Sequence, residues 1–406
     1  MGDRADVVIV GGGIAGCALA VLLARNGTDV VVLERQRPYT DRVKGEAMLP
    51  WGVFEAKRLD LYDVLVDDAG AHAADRFEVF TPLSGPEGPA VMKMTDLRPD
   101  AHVLNFQHPV ACQALANAAA AARAHVISGV GKVDVEPGRR PTVTYEVGDR
   151  RKTLSCRLVV GADGRNSSVR KQLGLRLRTA RGNHHVAGLL VDGLATAPMD
   201  AVGVGITDEV FGLSFPQGGG RSRIYACPPR ERKGRYSGAG GRGHFLDDVA
   251  MPCLPWHGDY EAATTSGPCR TYSGDDTVVD DPRADGVVLI GDAAGYSTPL
   301  VGTGLSGAFR DVRLVAEAVA DGSDLRPGTF DAYVEERRER MRRLEFIAKT
   351  TSTLFVGPGA PRRTAAANLR MAKDASLVPW RVGHFLGPEI PPPDAFDVSI
   401  RERLLA

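Results

Sequence analysis

Near the start of the chain, Gly11-Gly12-Gly13-Ile14-Ala15-Gly16 carries the G-x-G-x-x-G spacing, a pattern suited to holding a pyrophosphate. Gly11 permits a tight turn, Gly13 lets backbone approach the phosphates, and Gly16 lets a helix pack closely on a strand. A helix opening at Ile14 and Ala15 would aim its free N–H groups at the phosphate charge. Glu34, with Arg35 beside it, supplies the other half: a carboxylate that accepts hydrogen bonds from a ribose and repels a 2′-phosphate. The ligand so favoured is FAD or NAD before NADP.

Positioning these residues takes a strand, a helix and a second strand. Asp6 to Val10 is an apolar run, and Ile14, Cys17, Ala18, Val21 and Leu22 then recur at helical spacing until Gly27 stops the helix. Asp29 to Leu33 reads as a second buried strand that ends at Glu34. The glycine spacing alone is common, and it recurs at Gly238-x-Gly240-x-x-Gly243 and Gly302-x-Gly304-x-x-Gly307. The former follows the charged stretch Arg230 to Tyr236 and is expected to be a flexible loop, whereas the latter follows a loop and opens a helix. Only the first copy combines strand, helix and terminal acid.

Two later clusters repeat the logic of an acid after a strand. Val143, Tyr145 and Val147 alternate before a Gly148-Asp149 turn, and Leu154 to Val160 is predicted as one strand running into Gly161-Ala162-Asp163-Gly164-Arg165, with Arg170 beyond. Gly286 to Ile290 is predicted as another buried strand, running into Gly291-Asp292-Ala293-Ala294. Beyond Pro299, Gly302 and Gly304 start a helix whose Leu305, Ala308, Phe309, Val312, Val315 and Val319 form one apolar stripe, with Gly322 as its stop. The positive end of such a helix would stabilise the anionic pyrimidine edge of a reduced flavin. Taken singly, Asp163 and Asp292 read equally as turn or capping residues.

In this order, the three motifs resemble those of the single-component FAD-dependent monooxygenases, the aromatic hydroxylases of the para-hydroxybenzoate hydroxylase type, over most of the chain. The resemblance implies an α/β fold: a Rossmann-like FAD-binding domain with an inserted antiparallel-sheet substrate domain and a C-terminal helical region. Residues 1–80, 101–180 and 276–326 would form the first, 81–100 and 181–275 the second, and 327–406 the third. It further implies that Asp292 hydrogen-bonds the ribitol of FAD, that Asp163 secures the dinucleotide region, that Arg42 reaches the cofactor, and that Pro299, Gly302, Gly304 and Leu305 lie along the flavin. The implied activity uses NADH or NADPH as a transient donor and molecular oxygen, and hydroxylates a small aromatic or polyketide-like molecule through a flavin C4a-hydroperoxide. No side chain is assigned as a covalent catalyst or general base, because positioning and water exclusion carry the rate in this class.

The chain departs from that pattern at Gly295, Thr298 and Thr303, which replace a histidine, a proline and another loop residue, and at His108, which stands in for an arginine. His108 therefore reads as a helix cap or core histidine as readily as a ligand. Gly45-Glu46-Ala47-Met48-Leu49-Pro50 looks like a segment of flavin-dependent halogenases, although the paired tryptophans of those proteins are missing from Glu209 to Pro216. An isoprenoid double-bond reductase and a flavoprotein without turnover complete the alternatives.

Ala201 to Ile206, Phe211 to Phe215 and Arg221 to Ala226 alternate like half-buried strands, which makes Phe211, Leu213, Phe215 and Tyr225 candidates for a substrate pocket or for an ordinary core face. Residues 327 to 376 read as helical, with Glu335-Glu336 and Arg337 to Arg343 as a solvated face, and the proline-rich stretch Pro379 to Pro393 as a surface tail.

Composition narrows the rest. A chain of 406 residues exceeds one compact core, and 50 basic residues offset 50 acidic ones, which argues against a nucleic-acid partner. Cys17, Cys112, Cys156, Cys227, Cys253 and Cys269 show no metal-ligand or disulfide spacing, so no metal is expected. With no signal pattern and no membrane span, the expected setting is cytoplasmic, and the expected protein a monomer or homodimer acting on a small-molecule substrate.

Overall fold

The computed structural model describes residues 3–43, 45–85, 88–321 and 325–406; Gly322, the expected helix stop, lies outside them. A six-stranded sheet is built in the order Arg283–Ala284, Val287–Leu289, Leu158–Gly161, Val7–Val10, Val30–Glu34, His125–Ser128. Its strands run parallel except for the edge pair 283–284 with 287–288. Continuous apolar runs such as Val7–Val10 suit a parallel sheet because both faces are covered. Val7, Ile9, Val30 and Val32 face the helices Ile14–Arg25, His108–Ala121 and Gly304–Asp321. Val8, Val10, Val31 and Leu33 face a three-stranded antiparallel sheet, Val130–Glu136, Thr142–Val147 and Arg150–Ser155.

That small sheet corrects the sequence reading. Leu154 to Val160 is not one strand: Arg150–Ser155 pairs back onto Thr142–Val147, and the chain then crosses to the parallel sheet at Leu158. The break falls at Cys156-Arg157, and the alternation of buried Leu154, Cys156 and Leu158 with half-buried Ser155 and exposed Arg157 runs across it, so the pattern does not reveal the change of sheet.

A second, seven-stranded sheet runs Thr264–Ser273, His185–Asp192, Arg221–Cys227, Phe211–Pro216, Ala201–Ile206, Arg76–Phe80, Ala90–Lys93. Arg76–Phe80 pairs in parallel with Ala201–Gly205, so residues 76–80 belong to this sheet. The three central strands, expected to be half-buried, are buried on both faces almost throughout. Val202, Val204, Phe211, Leu213, Phe215 and Tyr225 point into a cluster shared with the C-terminal helices. The opposite face is made of small residues that admit large ones: a Cβ on Gly203 would stand 2.6 Å from Trp256, and one on Gly205 2.4 Å from the sulfur of Met251. The alternation of Val202-Gly203-Val204-Gly205 thus records two buried faces of different depth, not one dry and one wet.

The remaining differences also concern burial. The glycine stretch from Gly238 opens the helix Gly241–Val249, whose Phe245 is wholly buried. Arg337, Arg340 and Arg343, read as solvated, are 3%, 3% and 8% exposed inside the helix Asp331–Phe355. The proline-rich tail is not draped over the surface. It holds the helix Pro379–Leu386, with Trp380 and Phe385 buried, and Gly383 admits Phe396 and Pro391 against its backbone.

Candidate functional site

The parallel strands carry the three motifs to one edge. Gly11 N–H donates to Leu33 O at 2.8 Å, Ala162 N–H to Val10 O at 2.8 Å, and Ile290 N–H to Gly161 O at 3.0 Å, so the glycine turn, the Asp163-Gly164 turn and the Gly291-Asp292 turn leave adjacent carboxyl ends of one sheet. In open α/β sheets that edge is where ligands bind. Gly11 takes φ +108°, and a Cβ on it would meet the carbonyl of Ala162 at 2.4 Å. A Cβ on Gly16 would stand 2.0 Å from Gly11 O, whereas one on Gly13 meets nothing within 4 Å. Gly16 therefore serves the close packing of the helix, and Gly13 opens onto space.

Glu34 ties the loop to the neighbouring strand. Its carboxylate accepts from Gly12 N–H at 2.7 Å and Gln36 N–H at 2.7 Å, while Tyr39 O–H and Cys17 S–H donate to Gly12 O at 2.6 and 3.1 Å. Arg35 is exposed at the same edge. The helix Ile14–Arg25 begins with Gly13 as its N-cap and no side-chain cap, which leaves its first-turn amides available to an anion. These features fit the pyrophosphate and ribose of FAD.

The two aspartates play different parts. Asp163 accepts through one oxygen from Ser168 N–H at 2.6 Å, Ser168 O–H at 2.9 Å and Val169 N–H at 3.2 Å, and so fixes the start of the short helix Ser168–Gln172. Arg170 then links this motif to the third by donating to Ala293 O at 3.0 Å, and the Arg165 guanidinium lies 4.0 Å over the ring of Tyr296. Asp292 sits in the middle of the turn Gly291–Ala293. That turn is held from behind by Asp311, which accepts from Gly291 N–H at 2.8 Å and is paired with Arg337 and Arg340. Those two arginines depress the Asp311 pKa although the carboxylate is buried. Sequence reasoning missed this support because Asp311, Arg337 and Arg340 meet only through tertiary packing.

Residues Pro299–Val301 form a one-turn helix, Gly302 follows at φ +67°, and Gly304–Asp321 then begins. Leu305 at its start and His108 at the start of His108–Ala121 both approach Gly45, lying 3.3 and 3.4 Å from where its Cβ would be. His108 Nδ1 is 3.4 Å from Cys112 Sγ, one turn along its own helix. Two further histidines, with no motif to mark them, bracket the Pro299 turn: His184 reaches Thr298 and His384 reaches Val301.

Residues 4–347 match the family model described as FAD binding domain. The chain belongs to the FAD-dependent monooxygenase family. It is 28% identical to squalene monooxygenase of Mus musculus over 79% of its own length and 55% of that protein, so it spans little more than half of this relative. Rifampicin monooxygenase of Rhodococcus hoagii is 28% identical, covering 82% of this chain and 68% of its own. Menaquinone reductase of Mycolicibacterium smegmatis is also 28% identical, with 79% and 78% covered. Among solved structures, p-nitrophenol 4-monooxygenase PnpA from Pseudomonas putida DLL-E4 shares the fold at TM-score 0.73 and 20% identity, over 100% of this chain and 99% of that one. The flavin-dependent brominase Bmp2 does so at TM-score 0.77 and 16% identity, over 98% of each chain.

In this monooxygenase-family chain the large sheet meets the flavin-side turns through buried charge. Arg223, 1% exposed, donates to Asp41 at 2.8 Å and to Glu46 at 3.0 Å, and Tyr225 O–H donates to Glu46 at 3.3 Å. Burial outweighs the pull of Arg223 and pushes the Glu46 carboxyl up to about 7. Tyr272 O–H donates to the carbonyl of Arg42, which places that loop under the sheet edge. Of the proposed pocket residues, Phe211 packs on Phe355 with ring centroids 5.3 Å apart, and Phe215 meets Tyr225 edge to face at 6.0 Å. A cleft of about 820 Å³ lined by Arg4, Asp6, Asp29 and Arg157 lies at the opposite, amino end of the parallel strands. None of the three motifs reaches it. Among the described residues no His, Cys, Asp and Glu group could hold a metal, and no helix is long and apolar enough to cross a membrane.

Proposed function

We propose that the chain is an FAD-dependent, NAD(P)H-using monooxygenase that hydroxylates a small, largely apolar aromatic or polyketide-like molecule. The convergence of Gly11, Asp163 and Gly291 on neighbouring carboxyl ends of one sheet carries this reading. The first-turn amides of Ile14–Arg25 would take the pyrophosphate, Glu34 the adenosine ribose and Asp292 the ribitol. Flavin, once reduced, supplies the activation of molecular oxygen. The protein's part is to orient the ring against Pro299–Gly304, to place the positive end of Gly304–Asp321 near developing negative charge, and to keep water out beneath the large sheet. With one complete glycine fingerprint in the sequence, this reading has NAD(P)H binding transiently beside the flavin.

Likeness in fold to a brominase, together with Gly45-Glu46, favours halogenation as the second reading. The deciding experiment supplies the purified protein with FAD, NADPH or NADH, oxygen, bromide and a panel of aromatic substrates, and weighs the products. A gain of one oxygen supports hydroxylation, a gain of one bromine supports the second reading, and a reduced product with no oxygen consumed would point to a reductase.

A further inference from the structure

Beneath the large sheet, two facing walls carry hydrogen-bonding groups that have no partner in the protein. One wall is the three-stranded sheet in which Asn105 pairs with Ala47 and with His72. Paired residues share a face, and alternate residues along a strand do too. Val103 and Ala74 lie in the apolar cluster of the large sheet and Ala47 packs against it, whereas Leu104 and Met48 lie in the cluster of the glycine-turn helix. Asn105 therefore points toward the large sheet. It is 0% exposed, and neither its amide oxygen nor its amide nitrogen is hydrogen-bonded.

The other wall is the hairpin of Phe211–Pro216 and Arg221–Cys227. Phe215 pairs with Arg223 and Leu213 with Tyr225, and Gln217 continues the same face beyond Phe215. Gln217 donates to Phe106 O at 3.3 Å, next to Asn105, yet its own amide oxygen is buried and unpartnered. Arg223 spends one Nη on Asp41 and Glu46, and its other, Nη1, is buried without a partner. Leaving such groups unpaired forfeits the hydrogen bonds they made to water with nothing in return, so convergence of several in one place calls for a ligand.

We propose that Asn105, Gln217 and Arg223 form the hydrogen-bonding pole of an otherwise apolar substrate chamber, and that the pole takes an uncharged hydroxyl group. This rests on the reading of the site as a substrate chamber beside the flavin. A hydroxyl has one proton to give and two lone pairs, so it can donate to one of the two amide oxygens while accepting from the Asn105 NH₂ and from Arg223 Nη1. A carboxylate is not matched, because the only buried cation, among the described residues of this pole, is already shared by Glu46 and Asp41. A plain hydrocarbon would leave every one of these groups unpaired.

The test uses the FAD-loaded protein and three ligands of one ring system, naphthol, naphthalene and naphthoate, with binding read from perturbation of the flavin absorbance and from equilibrium dialysis. Naphthol should bind at least about tenfold more tightly than the other two, as expected for a hydrogen bond made in a buried site. Asn105→Leu should erase that margin while FAD content stays at the wild-type level, and Asn105→Gln should restore part of it. Equal binding of the three ligands, no binding of naphthol, an undiminished margin in Asn105→Leu, or loss of FAD from that variant would each overturn the proposal. Binding is measured without turnover, so a protein that prefers naphthol yet forms no oxygenated product sinks the monooxygenase reading alone.

Discussion

His184 Nε2 lies 2.9 Å from the hydroxyl of Thr298, and the rest of its hydrogen bonding sets the direction of that contact. Asn183 uses its NH₂ on Ser352 O, so its oxygen faces His184 Nδ1 at 3.0 Å and takes the ring's one proton. Nε2 then accepts from Thr298 O–H, and Thr298 Oγ1 in turn caps the Pro299–Val301 turn. At the far end of the turn, His384 Nε2–H donates to Val301 O at 2.7 Å. Two neutral rings thus hold the turn that precedes Gly304.

Burial lowers the pKa of both histidines from 6.5 to about 4. At these two groups the unfolded chain binds more protons than the folded one between those values, so their share of the stability rises with pH there and is flat above it. The buried Glu46 and Asp276 carboxyls, both raised to about 7, act with the opposite sign. The histidines' share of the melting temperature, read as the difference between wild type and a histidine variant, should hold steady above about pH 6.5 and shrink as pH drops toward 4. His184→Gln should remove its part of that dependence. Thermal melts of both proteins at pH 5 and 7.5 check this, and parallel pH dependence in the two would refute it.

Gly13 and Gly16 should behave differently. Gly16→Ala drives a methyl into Gly11 O and should lower the melting temperature of the apoprotein as well as abolish flavin retention. Gly13→Ala has room for its methyl and should fold normally, yet bind FAD at least about tenfold more weakly because the methyl fills the space meant for phosphate. Equal melting temperatures for the two variants would show that the helix does not need its close approach.

Asp311→Asn leaves Arg337 and Arg340 buried beside a neutral side chain, and Gly291 loses its charged acceptor. Removing one partner of a buried ion pair costs about 3 kcal/mol or more. Urea unfolding should show that loss, and flavin should dissociate more readily because the Gly291–Ala293 turn is loosened. A change below about 0.5 kcal/mol would mean that the pair is dispensable.

The aspartates of the later motifs separate by role. Asp163→Ala should cost about 1 kcal/mol because the first two amides of the helix lose their acceptor while the Ser167 cap remains, and Asp163→Asn less, since an amide oxygen still accepts. Asp292→Ala should release flavin during purification. Absorbance ratios at the flavin and protein bands measure retention, and a fully yellow Asp292→Ala protein would remove that residue from the site.

How much of this could be read from residues alone follows from the range of the interactions. The glycine turn, its helix and the strand ending in Glu34 are local, and their spacing stated them. Strand residues 201–206, 211–215 and 221–226 were legible for the same reason, but their double burial was not, because Trp256 and Met251 arrive from elsewhere in the sequence. The charges of Arg337 to Arg343 suggested solvent. Their acceptors, Asp311 and the carbonyls of Pro388 and Pro391, come together only when the C-terminal segments pack. Asn105 sits in a strand of three residues with nothing unusual in its neighbourhood, and its lack of partners is visible only in three dimensions.

Whether the three distant turns meet on one FAD is read from the flavin content of the purified, folded chain after incubation with excess FAD and removal of the unbound cofactor. One FAD per chain, bleached anaerobically by NADPH or NADH, is expected. A folded protein that stays colourless at saturating FAD would contradict it.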